Sequence, residues 1–384
     1  MNKVLEAKET AAVRSTFWVV AAFYALIAFE FFYMATPFAL YFYSAYGPAL
    51  DFVNNSPTLA WLSRAFLPHI VAETSSVILN LRNVAGGILA FTGFSAFCIG
   101  AFQVYYHKLT KKGVVMGGIY KSIRHPQYAS LMIGSFGLLI LWPRYIVLLA
   151  FLSMLFAYYF LARVEEKECE RKFGQAYYTY KKKTHMFVPF RVPLINQLSF
   201  LFKARLSRSL AIACLYVVVS AGGLGFAGIL EQWSINNLYT LYSQDAVYVA
   251  VSKIEDPTFK QLVNIARANA DVQDRLANGQ VAGSKFINYV MPTEWYVSEI
   301  PMNPVDSGRG HYNPKPYDGS QYKIIFTYAE LRAGQDTQGK EILLNVVRRV
   351  PVVEVWIDLS HQQVTDIKDP PETIKYENIP VPVY

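Results

Sequence analysis

Five apolar segments crowd the first 231 residues of this 384-residue chain and leave few folds open to it. A helix needs about 20 mostly apolar residues to cross roughly 30 Å of hydrocarbon. The segments run from about Phe17 to Phe42, Val84 to Tyr106, Tyr128 to Trp142, Tyr145 to Ala162 and Leu210 to Leu230. The third is short, and only Pro143-Arg144 separates it from the fourth, so these two are expected to form a tight helical hairpin. The basic start (Lys3, Lys8, Arg14) leads into a stretch too long for a signal peptide, with no small-residue cleavage site. The fold class that follows is an α-helical polytopic membrane domain of about five transmembrane helices over 1–231. A soluble α+β domain with an antiparallel sheet is expected over 232–384.

Charge divides at the same place. Residues 1–231 carry 22 Lys and Arg against 10 Asp and Glu, whereas residues 232–384 carry 14 against 18. The basic half is the apolar half, so its charge marks membrane flanks and not a nucleic-acid surface. Loop 107–125 holds Lys108, Lys111, Lys112, Lys121 and Arg124, and segment 163–208 holds eleven Lys and Arg. Loop 43–83 has only Arg64 and Arg82, and the hairpin turn only Arg144. By the positive-inside rule the two basic stretches face the cytoplasm. The expectation is an integral inner-membrane protein with a cytoplasmic N-terminus and a periplasmic, extracytoplasmic C-terminal domain. Within loop 43–83, the apolar stretch Leu59–Leu79 is broken by Pro68 and is expected to form an interfacial or re-entrant helix. His69 and Glu73 would share one face of it as an ordinary i,i+4 pair. Glu30 lies inside the first span. A protonated, hydrogen-bonded carboxyl is the plain reading, and a functional one the alternative.

The chemistry-bearing residues fall in two clusters. The first reads Gly118-Ile-Tyr120-Lys-Ser-Ile-Arg124-His125-Pro126-Gln-Tyr128. The second reads Glu165-Glu166, then Phe173-Gly174, Tyr177, Tyr180 and Pro189. Both stand at the cytoplasmic ends of the expected hairpin, so they should be neighbours in space. One supplies a guanidinium, an imidazole and a phenol, and the other two carboxylates at a helix end. Together they make a polar pocket at the bilayer surface, suited to a soluble zwitterionic ligand. Pro126 would begin the third helix, where its missing N–H costs nothing, and the free N–H groups of that turn suit an anionic group. A plainer reading is a membrane-end salt bridge between Arg124 and Glu165 or Glu166.

The paired pattern over residues 80–192 resembles the isoprenylcysteine carboxyl methyltransferases and the related phospholipid methyltransferases. That resemblance implies an integral-membrane enzyme using S-adenosylmethionine, with a lipid or lipid-like acceptor reaching it from the bilayer. Carried over, His125, Pro126 and Tyr128 would line the cofactor pocket, and Glu165 and Glu166 would bind its amino group or ribose hydroxyls. Tyr177 and Tyr180 would close it. Arg124 and Glu165 are the residues assigned to catalysis, Arg124 as a possible clamp on an acceptor carboxylate or phosphate. Ala129 and Cys169 replace the Gly and Leu usual in that pattern, both small packing changes.

In the C-terminal half, apolar spacing predicts a helix from about Pro257 to Asn278. Strands are expected at Tyr322–Tyr328, about Ile342–Val350, Val352–Leu359 and Val364–Ile367, the last two joined by a hairpin turn. Pro370–Tyr384 is expected to be extended. One helix and such a sheet faintly resemble cystatin-like or PepSY-like modules, which implies binding of a protein partner. His311, Asp318 and His361 show no pairing in sequence. With six His and three Cys in all, no metal site is expected. Two other readings stand beside the methyltransferase: a catalytically silent membrane subunit whose outer domain docks a larger complex, and, more weakly, a membrane reductase.

Overall fold

The computed structural model describes residues 18, 25, 48, 51–56, 58–110, 115–189, 205–278, 284–303, 311–331, 337–374 and 381–384. Glu30 lies outside the described residues, and the first expected span almost wholly so. The chain forms two compact units: residues 1–31 with 82–227, and residues 32–81 with 228–384.

The first unit is helical. It holds α2 (Pro126–Leu141), α3 (Tyr145–Lys183) and the greater part of α1 (Val77–Leu109) and α4 (Arg205–Asn236). Among the described residues, α1, α3 and α4 are long and apolar enough to cross a membrane, and α2 is a shorter apolar helix. Ile88, Phe91, Phe94 and Phe102 of α1 and Leu210, Val217 and Phe226 of α4 are exposed. An outer surface this apolar is stable against lipid and costly in water.

Glycine sets the spacing of α1 and α2. A Cβ on Gly93 would stand 2.3 Å from the backbone nitrogen of Gly134, and one on Gly137 would stand 2.4 Å from that of Ala90. Only glycine permits such close approach of two backbones. At the α2–α3 turn Arg144 is buried, its guanidinium 4.7 Å from the centroid of the Trp142 ring. The sequence had placed it as a loop charge. Helix α3 continues well past Ala162, the expected end of the span. It kinks at Gly174, where φ is 53° and ψ −129° and two helical pieces meet. A side chain at that positive φ would be strained.

The second unit is built on a six-stranded sheet in the order β1-β2-β3-β6-β7-β8. The strands are β1 (Thr240–Tyr242), β2 (Ala246–Ala250), β3 (Lys285–Pro292), β6 (Gln321–Leu331), β7 (Val346–Asp358) and β8 (Gln363–Lys368). β4 (Tyr296–Val297) and β5 (His311–Tyr312) form a separate antiparallel ribbon. Most pairs in the sheet are antiparallel, but β2 and β3 are parallel and joined through α5 (Asp256–Ala268) and α6 (Ala270–Asn278). Both faces are covered. Val247 and Val249 of β2 meet Ile70, Val71, Trp295 and Tyr384, while Tyr248 and Ala250 meet Phe259, Leu262 and Ala266 of α5.

Several expectations change here. The single helix over 257–278 is two, because Asn269 adopts extended backbone between α5 and α6. The strand expected from Ile342 begins as a short helix, α7 (Lys340–Asn345), and β7 then runs unbroken through the next expected strand. The re-entrant helix over Leu59–Leu79 is absent. Apart from a single 3-10 turn at Ala60–Ser63, residues 64–76 are irregular and belong to the second unit. Their backbone bonds go there: His69 N–H to Tyr384 O at 2.7 Å, and Ala72 N–H to Val251 O at 2.9 Å. His69 and Glu73 therefore share no helix face. The β7–β8 hairpin is present, with Asp358 accepting from the N–H groups of Ser360 and His361 in its turn.

Candidate functional site

The site is assembled in the first unit from the loop before α2, the start of α2 and the second half of α3. His125 is the N-cap of α2 and Pro126 stands in its first turn. The backbone of this motif is latched to the segment after α3. Arg124 N–H donates to His185 O at 2.8 Å, His125 N–H to Met186 O at 3.1 Å, and His185 N–H to Ser122 O at 3.2 Å. The kink at Gly174 turns the chain so that Tyr177, Tyr180 and Lys181 come back beside Glu166 and Glu170. Lys181 Nζ lies 2.7 Å from Glu170 Oε1.

The two adjacent glutamates have different surroundings. The Glu166 side chain is 2% exposed, and the Glu165 side chain 46%. Glu166 Oε1 accepts from Arg124 Nε at 2.7 Å, and its Oε2 lies 2.7 Å from Lys181 Nζ. Arg124 also donates to the carbonyl oxygens of Lys181, at 3.1 Å, and of Thr184. Arg124, Glu166 and Lys181 thus form an internal brace that holds the returning segment to the motif. Glu165 instead accepts from the Tyr128 hydroxyl and lies 3.5 Å from His125 Nδ1. The His125 and Tyr128 rings stack at 5.6 Å, and Tyr128 stacks on Tyr158 at 4.8 Å.

In front of these groups is a cavity of about 580 Å³, lined among others by Tyr120, His125, Tyr128, Glu165, Phe173 and Tyr177. Arg124 and Tyr180 reach it as well, whereas Glu166 stands behind it. A larger hollow of about 790 Å³ lies in the second unit beside Arg348, Arg349 and Asp369, and none of the motif residues line it. Burial works to lower the His125 pKa, but hydrogen bonding and charge from Glu165 and Glu166 raise it above the ordinary imidazole value. Burial, with Tyr180 and Glu165 nearby, raises that of Tyr120. A half-exposed carboxylate among aromatic walls suits an organic cation that also carries hydroxyls and a flat ring.

Every residue the sequence assigned to the site lies in this one region. Sequence reasoning left out Tyr120, Phe173 and Lys181 as site residues. Tyr120 and Phe173 were visible in the motif without a role. Lys181 was read only as membrane-flank charge, and its partner depends on the turn at Gly174. The residues considered in the second unit do not meet one another: His311 pairs with Glu299, Asp318 with Ser320, and His361 with Asp358.

A family model described as phospholipid methyltransferase matches residues 81–176. The match bears out the resemblance drawn from the paired motifs. Its span contains Arg124, His125, Pro126, Tyr128, Glu165 and Glu166 and ends one residue before Tyr177. Searches of curated proteins and of solved structures gave no match. The matched segment is thus similar to that family, and among the described residues three helices are long and apolar enough to cross a membrane. The cystatin-like resemblance of the second unit has no such support; its sheet is mostly antiparallel, as expected, with β2–β3 the parallel pair.

Proposed function

We propose that this chain transfers a methyl group from S-adenosylmethionine to a lipid or lipid-like acceptor at the cytoplasmic face of the membrane. The observation that carries the reading is the cavity of about 580 Å³, whose wall is built from the paired motif residues and lies almost entirely within the family match. Its donor set fits the cofactor. Glu165 offers a carboxylate to the amino group or ribose hydroxyls, and Phe173 and Tyr177 offer aromatic rings to the adenine and the cationic sulfur. The volume falls in the range of about 300–1,000 Å³ usual for small-molecule sites.

When bound, the cofactor supplies an electrophilic methyl group on a good leaving group. What remains for the protein is to align the acceptor and exclude water. His125 and Tyr128 hold Glu165 in place, one at each carboxylate oxygen, by an ion pair and a hydrogen bond. Tyr177 and Tyr180 close the site from the segment that returns after Gly174. Arg124 acts as a positioning residue, since its Nε and one terminal nitrogen are spent on Glu166, Lys181 O and Thr184 O. A carboxylate or thiolate acceptor needs no general base. The basic residues of loop 107–125 and segment 163–208 support a cytoplasmic site, and the scarcity of Lys and Arg in loop 43–83, only Arg64 and Arg82, supports an extracytoplasmic second unit that would hold a protein partner.

The reading is tested by incubating membranes containing the protein with methyl-labelled S-adenosylmethionine and extracting the lipids. Label in the lipid fraction that disappears with Glu165→Gln supports it. Label equal to that of membranes lacking the protein, with folded protein present, would favour the silent-subunit reading.

A further inference from the structure

Three side chains from separate parts of the second unit converge on one point. His69 lies in the irregular stretch after the Ala60–Ser63 turn, Glu299 just beyond β4, and His311 in β5. The β4–β5 ribbon pairs His311 with Val297, which brings its imidazole beside Glu299. The His69 backbone is fixed by its bond to Tyr384 O. His311 Nε2 stands 2.7 Å from Glu299 Oε2, and His69 Nε2 stands 3.6 Å from Glu299 Oε1. One ligand atom from each residue lies within 4.8 Å of the other two.

We propose that His69, Glu299 and His311 bind a divalent transition-metal ion, with Zn²⁺ the best match to the set. Bonds of about 2.0–2.2 Å in a tetrahedral site put ligand atoms about 3.3 Å apart. A change of about 0.6 Å in the shortest pair, and of at most about 1.5 Å in the longest, brings this cluster to that spacing. Two imidazole nitrogens and one carboxylate oxygen are a borderline-soft set that suits zinc, whereas calcium and magnesium require oxygen ligands. The Glu299 side chain is only 2% exposed, and a carboxylate there needs compensating positive charge. A divalent ion supplies it while leaving both imidazoles neutral, the form that ligates. Three protein ligands leave a fourth position for water. The His311 side chain, 32% exposed, gives an entry path from solvent. The bound ion would tie three segments of irregular or short secondary structure into one joint.

The alternative is a hydrogen-bonded His–Glu–His cluster that holds no metal. The test uses full-length, tag-free protein in detergent, stripped with a chelator and titrated with zinc chloride in a calorimeter. Metal content after dialysis is read by mass spectrometry. Binding of one zinc ion per chain with Kd below about 1 μM is expected, together with a rise in the unfolding temperature. His69→Ala and His311→Ala should each weaken binding at least tenfold, and His361→Ala should leave it unchanged. Glu299→Gln keeps the side-chain shape and should also weaken it, which covers the case in which a histidine variant fails to fold. No stoichiometric zinc on folded wild-type protein would overturn the proposal. So would zinc binding that survives both histidine substitutions.

Discussion

Glu165 and Glu166 are neighbours in sequence, and the geometry gives them opposite jobs. Replacing Glu166 by Gln should damage the fold. Its carboxylate is 2% exposed and faces Arg124, Lys181 and His125, whose side chains are 10%, 29% and 8% exposed. Removing one partner of a buried ion pair costs about 3–5 kcal/mol, because the remaining charge is left uncompensated. Part-exposed Lys181 can turn to solvent, so the lower end of that range applies. Replacing Glu165 by Gln should do little to the fold. That side chain is 46% exposed and 3.5 Å from His125, and an amide oxygen still accepts from Tyr128. A screened pair of this kind contributes less than about 1 kcal/mol. Binding of the cofactor should show the reverse. A charge-assisted hydrogen bond accepted by Glu165 is worth about 1.5–3 kcal/mol, or roughly 10–100-fold in Kd. The assay is thermal unfolding of the detergent-solubilised variants by circular dichroism, since helices dominate the first unit, beside S-adenosylmethionine titration. Equal destabilisation by both variants, or a silent Glu166→Gln, would refute the division of roles.

Other outcomes follow from the same geometry. Gly93→Leu should separate α1 from α2 and abolish cofactor binding with the protein still in the membrane, since even a Cβ there meets the Gly134 backbone nitrogen at 2.3 Å; unchanged binding would show that this contact does not shape the site. His125 in ligand-free protein should titrate above 6.5 by NMR, and Glu165→Gln should move it down. The His125 contribution to stability is then complete below the unfolded value near 6.5 and is lost as pH rises through the folded value. Lys323 is fully buried, and burial lowers its pKa from 10.5 to about 8 against the opposing pull of Glu354. Between those values the unfolded chain binds more protons, so stability should rise with pH over about 8–10.5, by roughly 3 kcal/mol in all. Lys323→Met should remove that slope and stabilise the protein at pH 7; a parallel pH profile for the variant would contradict this.

The helices and the motif residues were legible because each rests on local sequence. Long apolar runs and Arg124-His125-Pro126 need no tertiary information. The difference between Glu165 and Glu166 was not legible. Successive helical residues point about 100° apart, and only packing decides which one faces inward. The brace depended on Gly174, whose positive φ returns Lys181 to Glu166, and a glycine in a helical pattern does not announce that. Strands β2 and β3 were missed for another reason. Both sheet faces are covered, so Ala246–Ala250 and residues 286–292, the latter broken only by Asn288, lack the alternation that marks a half-buried strand. Leu59–Leu79 looked like a membrane-surface helix because its apolar residues, Ile70 and Val71 among them, belong to the core of the second unit. The His69, Glu299 and His311 cluster joins three distant segments, so no spacing rule could find it.

The central claim is that the cavity lined by His125, Tyr128 and Glu165 holds S-adenosylmethionine. Calorimetric titration of S-adenosylmethionine and S-adenosylhomocysteine into detergent-purified protein, beside His125→Ala and Glu165→Ala, tests it most directly. The account predicts micromolar binding of both, about −8 kcal/mol, lost in each variant while circular dichroism shows them folded. Folded wild-type protein that binds neither compound, or binding that both variants retain, would contradict it.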